Sequence, residues 1–272
     1  MPTDAEIAQH YDLESYYTQG NSSHMPEVKP TLADRILTKL AWTFDDPPAP
    51  LPDTIAEKCP NKGRLLDIGC GKGALMADAK ARGFEVAGVE PDPAARKAAA
   101  EDGMITSNGT AEHLPPEIKG ETFDVVTTTH VLEHCISPRK ALENARKCLR
   151  RDGTLYCEVP NCGALYFQRN VQISEMLDVP RHLHFFTKDS LQILCDAVGL
   201  KITDWRYHGY TRHYKAAWRA WENSIHQRIK ARGETPEGPN RSFARSLKLI
   251  LDTAKAAPDK KFDCIGFFAT PA

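Results

Sequence analysis

Several things are missing from this 272-residue sequence, and each absence narrows what the chain can be. No apolar run is long enough to span a bilayer, and no charged start followed by an apolar centre marks a secretory signal. No C-x-x-C occurs among the eight cysteines, which are scattered at 59, 70, 135, 148, 157, 162, 195 and 264. Several sit in apolar patterns and read as small buried hydrophobes, so a reduced, cytoplasmic protein is expected. Net charge is only −1, which excludes a global basic footprint for nucleic acid. No internal repeat or low-complexity tract appears. What remains is a length and apolar content suited to one large α/β domain with additions.

The organising stretch is Arg64-Leu65-Leu66-Asp67-Ile68-Gly69-Cys70-Gly71-Lys72-Gly73. A short apolar run ends in glycines at every second position, and Ala74 to Arg82 then reads as a helix. A buried strand thus feeds a tight turn and a helix N-terminus, whose free N–H groups and dipole favour an anionic group. Nicotinamide enzymes use a similar turn, but here the spacing is G-x-G-x-G and Asp67 stands inside the strand end. Glu90 closes the next apolar run about 20 residues on, where an acid can accept both ribose hydroxyls.

These residues resemble the class I S-adenosylmethionine-dependent methyltransferases. Leu66 to Gly73 is similar to their first motif, and Glu90 to their ribose-binding acid. The resemblance implies S-adenosyl-L-methionine as cofactor. It implies cofactor contacts from Asp67, Gly69, Cys70, Gly71, Gly73, Glu90, Pro91, Thr110, Ala111, Glu112 and His130. In the adenine-edge segment Gly109 to Pro115, Thr110 stands where the family commonly has an acid. A backbone contact near Ala111 survives that departure, and Glu112 has a plain surface acid as its other reading. The fold implied is a Rossmann-like, seven-stranded, mostly parallel sheet with helices on both faces and the last strand antiparallel.

Residues 1–62 read as an N-terminal helical cover with a Pro-rich linker. Thr31 caps a helix with Leu32, Ile36, Leu37 and Leu40 on one face, and Asp45 to Asp53 should be extended and stiff. Tyr11, Tyr16 and Tyr17 either line the cover against substrate or simply pack. The core is expected over 63–209. Asp92-Pro93 and Ser137-Pro138 start helices, and Phe123 to Thr129 and Thr154 to Val159 are strands. Pro160 to Pro180 is a long irregular connection, of the functional or mobile kind. Thr187 caps a further helix, and Leu200 to Tyr207 is strand six. A helical insert over 210–260 holds helices from Tyr210 to Arg232 and from Arg241 to Ala256. The final strand falls within 261–272.

Residues 201–272 hold fourteen Lys/Arg and seven Asp/Glu, a net of +7, which leaves −8 for residues 1–200. This asymmetry points to an acidic group on the substrate, to a partner or second copy docking at the insert, or to an ordinary solvated face. Arg212, Lys215 and Arg219 fall at helical spacing there. Substrate contacts are expected from Tyr11, Tyr16, Asn161, Arg181 and Arg212. His182 and His184 share one face if their segment is extended, with Arg181 pointing away to hold a loop or an acidic group.

The segment from Glu158 to Thr187 resembles the small-molecule subgroup near the ubiquinone-type O-methyltransferases. The implied reaction is O-methylation of a small biosynthetic molecule by direct displacement, with no metal required. His134, His182 and His184 are the candidate general bases, since a hydroxyl acceptor must lose a proton near neutrality. Other chemistry competes. His130-x-x-Glu133-His134 matches a zinc-protease pattern, but zinc there needs both histidines on one helix face plus a further acid, and the motif directly follows a strand. Nucleic-acid and glycan methyltransferases, or a cofactor binder without catalysis, are the alternatives. The Pro-Pro-aromatic signature of amino-group methylation is absent. Cys157 and Cys162 hint at pyrimidine chemistry, but the alternation of Cys157 inside a strand favours the core.

Overall fold

The computed structural model describes residues 27–171, 174–235 and 242–272, so the expectations for Tyr11, Tyr16 and Tyr17 lie outside the described residues. Seven strands form one sheet in the order β3-β2-β1-β4-β5-β7-β6. They are β1 (Arg64–Ile68), β2 (Glu85–Val89), β3 (Thr106–Ser107), β4 (Phe123–Thr129), β5 (Leu149–Pro160), β6 (Leu200–His208) and β7 (Cys264–Pro271). Pairings from β3 through β5 are parallel, while β7 runs antiparallel to both β5 and β6. The strand order reverses beside β1, so the carboxyl ends of β1, β2 and β4 border the crevice where such sheets bind ligands.

Alternation along the strands assigns the two faces. Leu66, Val126, Leu155 and Phe267 pack on one side with α5 (Pro138–Lys147) and α7 (Lys188–Ala197), through Leu142, Ala145, Leu191 and Cys195. Their neighbours Leu65, Val125, Tyr156 and Phe268 face the other side. There they meet Ile55 of α2 (Leu51–Lys58) and Ala79 of α3 (Ala74–Ala81). The segment expected to be wholly extended therefore gives way to a helix at Leu51. Pro52 lies in its first turn, where a missing N–H costs nothing, so the proline run opens a helix that covers the sheet.

The expected caps are in place. Thr31 forms a capping box with Asp34 on α1 (Leu32–Thr43), and Asp92 accepts Ala94 N at the start of α4 (Pro93–Glu101). Ser137 caps α5, and Thr187 forms a box with Ser190 on α7. The long connection after β5 contains α6 (Leu165–Arg169).

The insert departs from expectation at its start. Tyr210–Tyr214 is a 3-10 turn, and α8 (Ala216–Ala231) begins only after Lys215. Gly209, at φ 99°, turns the chain out of β6 first, and Tyr210 and Tyr214 are then buried with Tyr166, Leu249 and Phe262. After α9 (Phe243–Thr253), the short α10 (Pro258–Lys261) leads into β7. Leu37 and Ala41 of α1 join the same apolar cluster, so the N-terminal helix and the insert pack as one unit beside the sheet. Arg219 completes the join by pairing with Asp34.

Candidate active site

The turn after β1 is shaped by its glycines. Gly69 has φ 76°, and a Cβ there would stand 2.2 Å from Val131 Cγ2, so the turn is pressed against the loop leaving β4. Gly71 has φ 52°, yet a Cβ there would meet nothing within 4 Å. The turn therefore presents open backbone at Gly71, just ahead of the N-terminus of α3. Cys70 points the other way, buried with Met76 and Met104, and burial pushes its thiol up. Its expected cofactor contact is thus left to backbone.

Two carboxylates flank this turn. Asp67 is buried and accepts one hydrogen bond, from Thr127 Oγ1 at 2.7 Å. Burial outweighs that bond and pushes its carboxyl up to about 7, with the charge of Glu90 adding to the shift. Glu90 accepts Gly71 N on one oxygen and Asp92 N on the other, each at 2.9 Å. Burial raises its carboxyl too, against those two amides. Each Glu90 oxygen keeps acceptor capacity for a further donor. A buried acid with one partner, an acid with spare acceptors and an open glycine backbone fit a cationic ligand carrying a ribose diol.

The adenine-edge segment is held from behind. Thr110 and His113 exchange backbone hydrogen bonds at 3.1 Å, and Thr110 Oγ1 also accepts His113 N. The Glu112 carboxylate accepts Ile136 N and Ser137 N at 3.0 and 2.8 Å. That corrects the expectation of a cofactor contact from its side chain: Glu112 ties this loop to the start of α5. Asn144 donates to the Ala111 and Glu112 carbonyls from the same side. Arg96 bonds the carbonyls of Glu90 and Pro91 and the Asn108 side chain, fixing the loop after β2.

The lip over β4 and β5 is rich in histidine. His130 follows β4 in a left-handed conformation, φ 54°, and its side chain is 47% exposed. Its ring nitrogens stand 3.4 Å from Glu133 Oε1 and 3.5 Å from Glu158 Oε1. Partial desolvation opposes its charge, but contacts with Cys264, Glu133 and Glu158 outweigh it, and its pKa is raised well above the ordinary value. Glu158 also pairs with His208 at 2.9 Å and accepts Tyr156 OH. Burial alone would raise its carboxyl; His130 and His208 bring it far below the usual range.

The other histidines take separate places. His134 Nδ1 meets the Arg181 carbonyl at 3.0 Å, and burial holds its pKa below the ordinary value although Glu133 is near. His182 is buried, with Nδ1 2.8 Å from the Met176 carbonyl. His184 reaches the Ile136 carbonyl at 3.4 Å and stacks near Phe186. His182 N bonds back to Asp178 O, closing a turn just before the two histidines, and their rings reach different carbonyls, of Met176 and Ile136. The zinc-protease helix is not formed either: Leu132–His134 is a single 3-10 turn with His130 outside it.

Each of the three expected substrate contacts among the described residues has a protein partner. Asn161 is fully buried; its amide donates to the Asp259 and Phe262 carbonyls and accepts Gly163 N. It is a staple between β5 and the approach to β7, with no group left for substrate. Arg181 is tied to Asp178 at 2.7 Å and holds its own loop. Arg212 Nε lies 3.3 Å from Asp263 Oδ2, with its guanidinium over Trp218. Cys157 and Cys162 are buried, and burial raises both thiols, which removes the pyrimidine reading's nucleophile.

Sequence reasoning missed a buried polar chain at this edge. His213 Nε2 is 2.6 Å from Asp263 Oδ2, its ring stacks on Tyr166 at 3.6 Å, and Tyr166 OH donates to Glu222. These four residues come from α6, the 3-10 turn, α8 and the approach to β7, so no local spacing links them. Among the described residues, no helix is long and apolar enough to cross a membrane.

Comparison with known proteins agrees with this geometry. Residues 43–204 match a family described as a methyltransferase domain. The chain is 32% identical over 215 residues to a ubiquinone biosynthesis O-methyltransferase of Cereibacter sphaeroides, covering 74% of this chain and 83% of that protein. A counterpart in Pseudomonas aeruginosa is 30% identical over 169 residues, covering 57% and 72%. An S-adenosylmethionine-dependent methyltransferase of Thermotoga maritima shares the fold with TM-score 0.52 and 18% identity, over 86% of this chain and 91% of that one. The [4+2]-cyclase SpnF does so with TM-score 0.57 and 19% identity, over 99% and 96%. With the glycine turn, the two acids and the sheet order in place, the chain belongs to the class I S-adenosylmethionine-dependent methyltransferases.

Proposed function

We propose that the protein methylates a hydroxyl group of a small biosynthetic molecule. The carrying observation is the reach of the similarity to the ubiquinone biosynthesis O-methyltransferases: 215 aligned residues, far more than the cofactor-binding strands alone. S-adenosylmethionine, when bound, supplies an electrophilic sulfonium methyl. The chain's own residues would hold it: Glu90 accepting from the ribose, the Gly71 backbone beneath it, and Asp67 as the buried acid suited to its positive charge. Direct displacement then asks for alignment and exclusion of water, a role this reading assigns to the unit formed by α1 and the insert. Eight unpaired thiols, seven of them buried, support the reduced cytoplasmic setting.

The test is transfer of a labelled methyl group from the cofactor to a panel of phenols, catechols and carboxylated phenols, with nucleic acid and glycan in parallel. Label in a phenolic ether is the expected result. Label found only in nuclease-sensitive material would replace the small-molecule reading. Tight cofactor binding without transfer to any acceptor would make the protein a binder.

A further inference from the structure

A second concavity lies at the far end of the sheet from the glycine turn. The crevice expected to take the cofactor borders β1, β2 and β4, whereas β6 is an edge strand, with β5 and β7 between it and β4. Residues of the linker from α1 to α2, of β6 and of the loop from α9 to α10 line a cavity of about 410 Å3. Ligand sites run from about 300 to 1,000 Å3, so this one has room for a single-ring molecule. Trp205, Tyr207, Phe262 and Phe268 supply rings to its lining, and Arg206 and Lys261 supply cations.

Lys261 is the unusual member. It closes α10 and is only 8% exposed. Its ammonium makes no hydrogen bond and no ion pair among the described residues. Nζ stands 4.8 Å from the Tyr210 ring centroid and 5.2 Å from that of Phe262, so rings meet it where an acid would ordinarily stand. Asp45 and Asp46 act on it from beyond ion-pair distance. Burial outweighs them and holds its pKa below the ordinary value. A desolvated ammonium touched only by rings gains from an anion brought within reach.

Arg206 places a second cation on the same lining. Its Nη1 donates to Thr54 Oγ1 at 3.1 Å and its Nη2 to the Ala49 carbonyl at 2.6 Å, while Nε has no partner among the described residues. Neither acceptor is charged, and the guanidinium keeps further N–H donors. The neighbouring acids are engaged or outlying. Asp204 pairs with Lys58 at 2.9 Å, and Asp45 accepts Thr211 N. Asp46 is exposed, so water and salt screen it.

We propose that this cavity binds a small aromatic carboxylate, with the carboxylate on Lys261 and the ring among the aromatic side chains of the lining. Four rings favour a flat apolar body over a bare inorganic anion, and two cations disfavour an amine. The place of the cavity makes its ligand an effector and not the methyl acceptor. A bound molecule would touch the α1–α2 linker, β6 and the return of the insert at once. It would thereby tie the N-terminal helix and the insert to the sheet without entering the cofactor crevice. The proposal does not rest on the methyltransferase reading.

The test titrates benzoate into the full-length protein by calorimetry, with benzamide as its uncharged counterpart. One benzoate per chain and a raised melting temperature are expected, with benzamide about tenfold weaker or worse. Lys261→Met should weaken benzoate binding by about tenfold or more, while Lys260→Met, at its exposed neighbour, should not. Circular dichroism and S-adenosylmethionine binding establish that the variants fold. Crystals of the wild type soaked in 4-bromobenzoate locate the ligand without any variant, and the bromine should lie in this cavity. No saturable benzoate binding, equal binding of benzamide, or bromine only at another place would each overturn the proposal. Unchanged benzoate affinity in folded Lys261→Met would do so as well. S-adenosylmethionine binding by the same preparation separates failure of this site from failure of the methyltransferase reading.

Discussion

Glu90 accepts the amide of Gly71 at 2.9 Å, so the residue that ends the second strand holds the turn that follows the first. The acid expected to receive ribose hydroxyls also fixes the glycine backbone expected to meet the cofactor. Its second oxygen holds Asp92 N, at the cap of α4. One side chain thus sets the relative position of two loops.

Glu90→Ala should therefore lose more than a ligand contact. Hydrogen bonds to a charged acceptor are worth about 1.5–3 kcal/mol each, so S-adenosylmethionine affinity should fall by about tenfold or more. Calorimetry with the cofactor, with its demethylated product and with NAD checks this. The wild type should bind the first two and ignore NAD. Unchanged affinity in the variant would remove Glu90 from the site.

Asp67 gives a pH dependence with a definite sign. Its folded-state pKa, about 7, lies above the ordinary 3.8, so between those values the folded protein holds a proton that the unfolded chain has released. Stability contributed by this group therefore falls as pH rises from about 4 to about 7, and is level above that. Melting of ligand-free protein across this range should show a shallower fall in Asp67→Asn than in wild type. Parallel curves would mean that Asp67 titrates normally.

Gly69 and Gly71 should respond differently to alanine. At Gly69 the new methyl would meet Val131 at 2.2 Å, against a stiff β-branched neighbour, so the fold itself should suffer. At Gly71 only the left-handed backbone objects, at about 1–2 kcal/mol, while the methyl enters the space open above the turn. Gly71→Ala should fold and bind the cofactor poorly. Denaturant titration and calorimetry on both variants distinguish the two; a Gly71→Ala protein with full cofactor affinity would contradict the reading.

Arg219 and Arg212 also part company. Arg219 is paired with Asp34 across the junction of α8 and α1, with both side chains largely buried. Arg219→Ala should cost up to about 3 kcal/mol of stability, because Asp34 is left behind without its cation, and should leave KM unchanged. If any arginine of the insert reads an acidic group on the substrate, it is Arg212, whose side chain is 25% exposed near the strand ends. Arg212→Ala should then raise KM more than it lowers kcat. An elevated KM in Arg219→Ala with normal melting would reverse the two roles.

The parts of this molecule that were legible in its sequence are those written in short range. Asp67, the three glycines and Glu90 lie within one β-α-β unit, and the caps Thr31, Asp92, Ser137 and Thr187 each announce a helix by themselves. The helix opening at Leu51 was hidden because proline marks both an extended segment and a first helical turn. Long-range pairings left no local trace. Glu112 reaching Ile136 and Ser137, Asp263 beside His213, and His182 beside Glu133 join residues from different elements. Asn161 shows the converse error: a polar residue at a strand end looks available, and only its three internal hydrogen bonds reveal that it is not.

The antiparallel seam between β6 and β7 has a wider consequence. His208 and Cys264 face each other across it, so the chain departs for the insert and returns at points one strand apart, about 5 Å. Topologically, residues 209–263 are a hairpin turn grown long, and the sheet has no means of registering their length. Such an excursion can be exchanged between homologues like a cartridge without changing the strand order, provided that its ties to Asn161 and Tyr166 after β5 are kept. The Asp34–Arg219 pair and the shared apolar cluster bind Leu32–Thr43 to the same cartridge. Whatever acceptor preference the insert confers should move with Leu32–Thr43 and the Tyr166 segment together and be lost when the insert is moved alone.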